Sequence, residues 1–413
     1  MMRCPLYLPC LANTGYTSAK LEQAPFCSRF ALYFYYLLFV LTFAENNKSM
    51  ITIISSPTDR QFSSSVPDLI FSIEKTRAVV AISVDSEQIY QETLTPVGGS
   101  ITVSDLTGLL GIYAERRLVV DVGITITEQE IGASTTMEIL GETIAIPGAI
   151  TTTDTKTLSF QVMFSRADVG VAASEFYDNY FLSILMGPKV TSMGRLEYLH
   201  FYGTEVPSCL AYYADGTTAT FTPQVSSGNS RYTQIDVSPD NFIATGKQLV
   251  SYIVSVGSRS QEFEIDLEQP DCAPILLFEN SFGVQELLYC TGTHKVSPEY
   301  KRQSARLRGL LRNYDIEETR NFQADTGVLT IPMANWADEL FRSREIFLVN
   351  VYNGLPQVGK EIVITDSKSE FTNDDAEMPR FTFTYQYAQR IHNVVQLQRE
   401  GRIFDNTFDN TFN

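Results

Sequence analysis

Residues 381–388 read FTFTYQYA, and this stretch shows the pattern that decides the fold. Aromatic residues alternate strictly with Thr382, Thr384 and Gln386. Successive side chains of a strand point to opposite faces, so a period of two predicts a strand with one buried face. Further segments of this type recur along the chain, at 69–73, 79–84, 87–93, 100–104, 118–127, 231–237, 248–256, 261–267, 346–351 and 360–365. The sequence therefore predicts an all-β protein, mainly of β-sandwich-like domains with a few short helices.

Turn and helix signals separate these strands. In SCLAYYADGTTATFTP (208–223), Asp215-Gly216 lies between two alternating runs, which is a strong hairpin signal. Aromatic residues at roughly helical spacing within 174–203 indicate a short helix, and NWADELFR (335–342) predicts another.

The length of 413 residues is typical of two to four domains. Residues 268–274, EQPDCAP, carry two prolines and read as a linker. We predict an elongated string of three β-rich domains at 50–150, 151–270 and 271–395. A C-terminal arm, 396–413, follows them.

The first 49 residues differ from the rest of the chain. Residues 30–44, FALYFYYLLFVLTFA, form an apolar run too short for an ordinary transmembrane helix. Arg29 before the run and Ala44 at its end partly match a secretory signal. Alternatively, translation starts at Met50, which opens the first strand signal. We favour the start at Met50, with no membrane insertion after it.

Composition limits the classes of function. The net charge is −17, and an acidic surface repels both nucleic acid and anionic lipid. The three histidines are far apart in sequence, and no nucleophile elbow, phosphate-binding loop or dinucleotide-binding turn is present. Carboxylate pairs suitable for a glycosidase can be found anywhere among 48 acidic residues, so they indicate little. We predict a protein without enzymatic activity and without a cofactor.

Cysteines and acidic clusters give weak metal signals. Cys209, Cys272 and Cys290 are widely spaced, which favours buried or idle thiols over a disulfide framework or a zinc site. The run DSKSEFTNDDAE (366–377) has oxygen ligands that calcium prefers, but it lacks the spacing and glycine of a calcium loop. A solvated acidic hairpin tip is the favoured interpretation.

Two segments are candidates for assembly. Residues 299–320, EYKRQSARLRGLLRNYDIEETR, concentrate basic side chains in an acidic chain, among them Arg302, Arg306, Arg308 and Arg312. They predict either a docking patch for an acidic neighbour, such as another copy, or a solvated face balanced by nearby glutamates. The tail FDNTFDNTFN repeats Phe404, Phe408 and Phe412 at intervals of four. These aromatics predict an arm that packs on its own domain or inserts into a partner.

Four stretches carry a resemblance to a known group: LLFENSFGVQELLYCTGT, FYDNYFLSIL, RFTFTYQYAQRIHNV and FDNTFDNTFN. Over most of residues 50–413, the chain resembles uncharacterised β-rich proteins from prophages and mobile elements of gut anaerobes. The resemblance implies a structural component of a virion or tail, with no defined catalytic residues.

Together these observations favour a non-enzymatic structural or adsorption component of a phage-like particle. It would stay in the cytoplasm until it assembles with its own copies or other particle subunits. The alternative is a secreted or surface-displayed adhesin or glycan-binding protein, which requires residues 30–44 to act as a signal. Exposed aromatic rings would then bind a glycan receptor, although a single tryptophan makes this less convincing.

Overall fold

The computed structural model describes residues 50–139, 142–146, 148–228, 231–352, 355–368 and 377–388. Strands dominate these residues and the helices are short, so the predicted all-β, multi-domain fold is confirmed. Three hydrophobic cores follow one another along the chain, and a fourth cluster joins them.

The first domain is a sandwich of a three-stranded and a five-stranded sheet, with strand orders β1-β3-β6 and β2-β10-β7-β4-β5. Alternate residues of β4, from Ala78 to Val84, are buried in the core between the two sheets. The strands β8 and β9 form a separate hairpin. The elements are β1 Thr52–Ser55, β2 Arg60–Phe62, β3 Leu69–Ser72, β4 Arg77–Val84, β5 Glu87–Leu94, β6 Ile101–Val103, α1 Leu106–Arg117, β7 Val119–Ile131, β8 Thr135–Ile139, β9 Glu142–Ile146 and β10 Ile150–Met163.

The predicted boundary at residue 150 is wrong for this domain. Strand β10 pairs with β7 from Ile150 to Met163, and its last residues also pair in parallel with β2. The buried residues Phe160, Val162 and Phe164 belong to the first core. The sequence of β10 is rich in threonine and lacks a turn signal of its own, so it could not be assigned to the preceding sheet.

The second domain also packs two sheets together, with strand orders β11-β18-β17-β13-β14 and β12-β16-β15. Stacked rings of Tyr252 and Phe263, with centroids 4.7 Å apart, lie in its core. The predicted hairpin at Asp215-Gly216 joins β13 and β14, and the predicted short helix is α2. The elements are α2 Ala173–Asn179, β11 Lys189–Thr191, β12 Tyr198–Tyr202, β13 Ser208–Tyr213, β14 Thr218–Phe221, β15 Gln224–Gly228, β16 Tyr232–Asp236, a 3₁₀ helix Pro239–Phe242, β17 Leu249–Val256 and β18 Arg259–Ile265.

The third domain is one seven-stranded sheet, in the order β20-β19-β23-β24-β25-β22-β21, packed against α3. The stretch FTFTYQYA forms β25 as predicted, with Phe381, Phe383 and Tyr385 fully buried. Helix α3 begins earlier than predicted because Thr330 caps it by accepting a bond from the Met333 amide. The elements are β19 Ile275–Glu279, β20 Gln285–Tyr289, β21 Lys295–Leu307, β22 Leu310–Asp325, α3 Ile331–Ala337, a 3₁₀ helix Asp338–Arg342, β23 Ile346–Tyr352, β24 Leu355–Lys368 and β25 Thr382–Tyr387.

An aromatic cluster around α2 connects all three domains. The ring of Phe176 stacks on Phe282 of the third domain, with centroids 4.9 Å apart, and meets Phe62 of the first domain edge-on at 5.9 Å. The buried guanidinium of Arg259 donates to the carbonyl oxygens of Tyr177 and Tyr202, which holds α2 on the second domain. All three predicted domains therefore meet at this cluster, where the first and third domains also touch.

We expect Phe176→Ala to lower the free energy of unfolding by about 3–5 kcal/mol, because it leaves a cavity in this junction. It should also split a single denaturant transition into separate ones, because the domains lose their shared contact. Val225→Ala is the matched control, since Val225 is 59% exposed and its truncation should cost at most about 0.5 kcal/mol. A single unchanged transition in the Phe176→Ala variant would show that the junction does not couple the domains.

Candidate assembly surface on the third domain

The longest described strand, β22, forms a hairpin with β21 at one edge of the third sheet. Its pairing with β25 covers only Phe322 to Asp325. Beyond that point, the two strands have only each other as partners among the described residues. At roughly 3.3 Å per residue, the span from Phe322 to Leu310 extends about 40 Å past the sheet. We call residues 297–321 the projecting hairpin.

A tight turn closes the hairpin at its far end. Leu307 pairs with Leu310 across a two-residue connection, Arg308-Gly309. Both turn residues have positive φ, 50° at Arg308 and 80° at Gly309. Two positive φ values characterise the type I′ turn, whose twist matches that of antiparallel strands. Glycine accepts this conformation without steric cost.

The end of the projecting hairpin is basic. Residues 300–314 are all exposed, and they include Lys301, the four predicted arginines and no acidic residue. Within the described part of the chain, none of these five side chains has a carboxylate within ion-pair distance. Arg302 instead lies over the ring of Tyr300, 4.9 Å from its centroid. In the strand register, Lys301 lies opposite Glu317, whereas none of the four arginines has an acidic residue opposite it.

Large apolar side chains accompany the arginines. Leu307 and Leu310 are each 60% exposed, and Leu311 and Tyr314 are 69% and 67% exposed. Single exposed apolar residues are ordinary, but a contiguous group on a projecting element is typical of an interaction site. The hairpin thus combines charge with apolar surface.

Strand register divides these side chains between two faces. Arg306 lies opposite Leu311, and Arg302 lies opposite Ile316. Paired residues share a face, and residues two apart along a strand also share one. One face therefore carries Tyr300, Arg302 and Arg306 together with Leu311 and Ile316. The sequence placed the arginines in one segment, and the structure brings them together with the apolar residues on one arm.

The outer strand β21 also offers unpaired backbone groups. It ends the strand order of the third sheet, so one side of its backbone has no strand neighbour in the described structure. Such an edge is a template for pairing with another strand, and natural proteins often protect it with charge. Basic side chains on β21 discourage random pairing while leaving the edge open to an acidic partner.

Other predicted residues are placed differently. Phe404, Phe408 and Phe412 lie outside the described residues, as do the leader 1–49 and residues 369–376 of the acidic run. Asp366 lies near the end of β24. Among the residues that are described, no group of three His, Cys, Asp or Glu side chains is arranged to hold a metal ion.

A buried polar group lies between the second and third domains, and sequence reasoning missed it. Lys189 Nζ is 2.6 Å from Glu197 Oε2 and lies over the Trp336 ring, 4.5 Å from its centroid. The Trp336 indole donates to Glu286, and Asn280 donates to the same carboxylate at 2.9 Å. Burial raises the pKa of Glu286. These groups satisfy one another in the interior, so their role is to join the two domains.

The described histidines and cysteines are also structural. Burial lowers the pKa of His200 to about 4, and its ring bonds the Tyr232 hydroxyl and the Gln285 carbonyl. The His294 ring packs parallel to the rings of Phe322 and Tyr385 in the third core. Burial raises the pKa of the Cys209 thiol to about 12, far from that of a reactive thiol.

In the part of the chain that the structure describes, no helix is long and apolar enough to span a membrane.

Comparisons with known proteins identify no family. No family model and no curated protein matches the chain. Among solved structures, the I67–I69 fragment from the titin I-band is 11% identical, covering 66% of this chain and 93% of the fragment, with a TM-score of 0.15. The I9–I11 tandem from titin is 8% identical, covering 84% of this chain and 90% of the tandem, with a TM-score of 0.14. Likeness this low establishes no relationship.

We expect backbone amides of residues 299–318 to exchange with deuterium much faster than those of β7 in the unassembled protein. An isolated two-stranded ribbon is marginally stable in water, whereas β7 pairs with β10 on one side and with β4 on the other. Hydrogen exchange with mass spectrometry measures both regions in one sample. Equal protection of the two regions would show that other parts of the chain, outside the described residues, pack on the hairpin.

Proposed function

We propose that this chain is a non-enzymatic structural subunit of a phage-like particle, and that it assembles through the projecting hairpin. The observation that carries the proposal is the exposed, basic and apolar arm at residues 300–314. The partner is another copy of the chain or a neighbouring subunit. The resemblance of the sequence to β-rich proteins of prophages supports the particle context, and residence in the cytoplasm until assembly is part of the same proposal.

The apolar side chains favour docking. Burying one exposed leucine stabilises a contact by roughly 1.5–3 kcal/mol, and the hairpin presents three of them, Leu307, Leu310 and Leu311. Docking also orders a ribbon that is marginal when alone. A free arm of this kind gains stability only when a partner covers it.

The charge of the hairpin favours an acidic partner. The chain has a net charge of −17, so the five basic side chains of the hairpin form a positive patch on a negatively charged protein. Opposite charges steer encounters and penalise incorrect partners. Because exposed charges are screened within about 8 Å at physiological salt, the contact should weaken as salt rises.

We test this with a shortened variant in which residues 298–320 are replaced by Asn-Gly. Ser297 and Asn321 are paired in the hairpin, so the new turn closes the ladder at a native pair. The variant should melt within a few degrees of the wild type, because the removed residues lie outside the cores. It should fail to form the oligomers of the wild type, or to enter particles, in light scattering and particle-incorporation assays.

A single charge reversal in the full-length hairpin, Arg306→Glu, is a second test. Its control is Arg116→Glu on α1, since both side chains are exposed and have no ion pair among the described residues. Only the Arg306 variant should weaken assembly. If the shortened variant assembles as the wild type does, the hairpin is not the assembly element and the proposal is wrong.

A further inference from the structure

The second domain has a sheet face that no other described element covers. Cα register places Leu210 beside Thr220 on one side and Ile253 on the other, with Glu262 next in the row. A neighbouring row contains Tyr212, Ser251 and Glu264. The opposite faces of these strands, with Cys209, Tyr252 and Phe263, are buried in the core. We call these two rows the open sheet face.

The carboxylates at the end of this face are unpaired in the described structure. Glu262 and Glu264 are exposed on β18, and neither has a basic side chain within ion-pair distance there. The nearest basic residue on the strand, Arg259, is buried and pairs with Glu205 at 3.5 Å. Three further acids, Asp266, Glu268 and Asp271, follow in the next turn. This end of the domain is therefore strongly negative.

Apolar surface adjoins these carboxylates. An open cleft of about 370 Å³ lies beside Glu262 and is lined by Tyr180, Leu185, Met186 and Pro188. Met186 is 52% exposed and Tyr180 is 38% exposed. Acidic groups next to exposed apolar side chains complement a hairpin face that carries arginine, leucine and isoleucine.

The outer surface of the first domain fits the hairpin less well. Its carboxylates Asp85 and Asp121 already pair with Arg231, and Asp85 also pairs with Arg117. Glu130 pairs with Lys75 at 3.2 Å. A basic partner would have to displace these existing contacts, which lowers the net gain from docking.

We infer that the partner of the projecting hairpin is a second copy of this chain, docked through its open sheet face. This inference rests on the proposed assembly function and names the surface that the hairpin contacts. Residues 300–314 are exposed in a single copy of the chain as described, so the contact that we infer is between two copies. Because the hairpin and the face are different surfaces, the contact is head-to-tail, and it builds rings or filaments rather than a closed two-fold dimer.

Charge reversal of both surfaces tests the inference. One full-length variant carries Arg302→Glu and Arg306→Glu, and the other carries Glu262→Arg and Glu264→Arg. Each should lose self-association by about tenfold or more in apparent Kd, because like charges then face each other. An equimolar mixture should regain association, since the reversed hairpin of one variant meets the reversed face of the other, and the intact hairpin meets the intact face.

The matched control for the second variant is Asp68→Arg with Glu345→Arg, two exposed acids away from the open sheet face. It should associate as the wild type does. If the Glu262/Glu264 variant also associates normally while the shortened hairpin does not, the assembly function stands and the open sheet face is not the partner. If each charge-reversal variant alone loses association and the mixture of the two does not regain it, the two surfaces do not meet and the inference is overturned.

Discussion

The three domains meet at the buried aromatic cluster around α2, in which Phe176, at the middle of the helix, stacks on Phe282. A helix of seven residues is too short to be stable alone, so tertiary packing must hold it. Arg259 completes that packing by donating to backbone carbonyls of Tyr177 and Tyr202. A buried guanidinium without these acceptors would be costly, so the aromatic stack and the polar contacts stabilise each other.

This junction holds the sheet that carries the projecting hairpin. Phe282 lies between β19 and β20 of the sheet whose other edge carries the hairpin. The buried group of Lys189, Glu197 and Trp336 fixes the same sheet to the second domain. The hairpin and the open sheet face are therefore held on one body, and their relative position sets the curvature of any head-to-tail assembly.

The sequence predicted those elements whose local pattern agrees with their environment. Strand β25 has one buried face, so its alternation was visible in the sequence. The turn residues Asp215-Gly216 predicted the hairpin of β13 and β14. Strand β10 was misassigned because its pairing with β7 is a long-range contact that no local signal reports. The projecting hairpin was missed as a hairpin because both of its faces are solvent-exposed, which removes the alternation. Its arginines were still recognised, because charge density is visible without structure.

Zero-length cross-linking of a mixture of ¹⁴N- and ¹⁵N-labelled chains tests the central claim most directly. The reaction joins an amine to a carboxylate in contact, and the substitution Arg302→Lys places an amine on the hairpin face that carries Arg306 and Leu311. Our account predicts mixed-isotope peptides that join the new amine at position 302 to Glu262 or Glu264. Cross-links from position 302 only to Glu318 on the same hairpin face, in peptides of a single isotope, would contradict it.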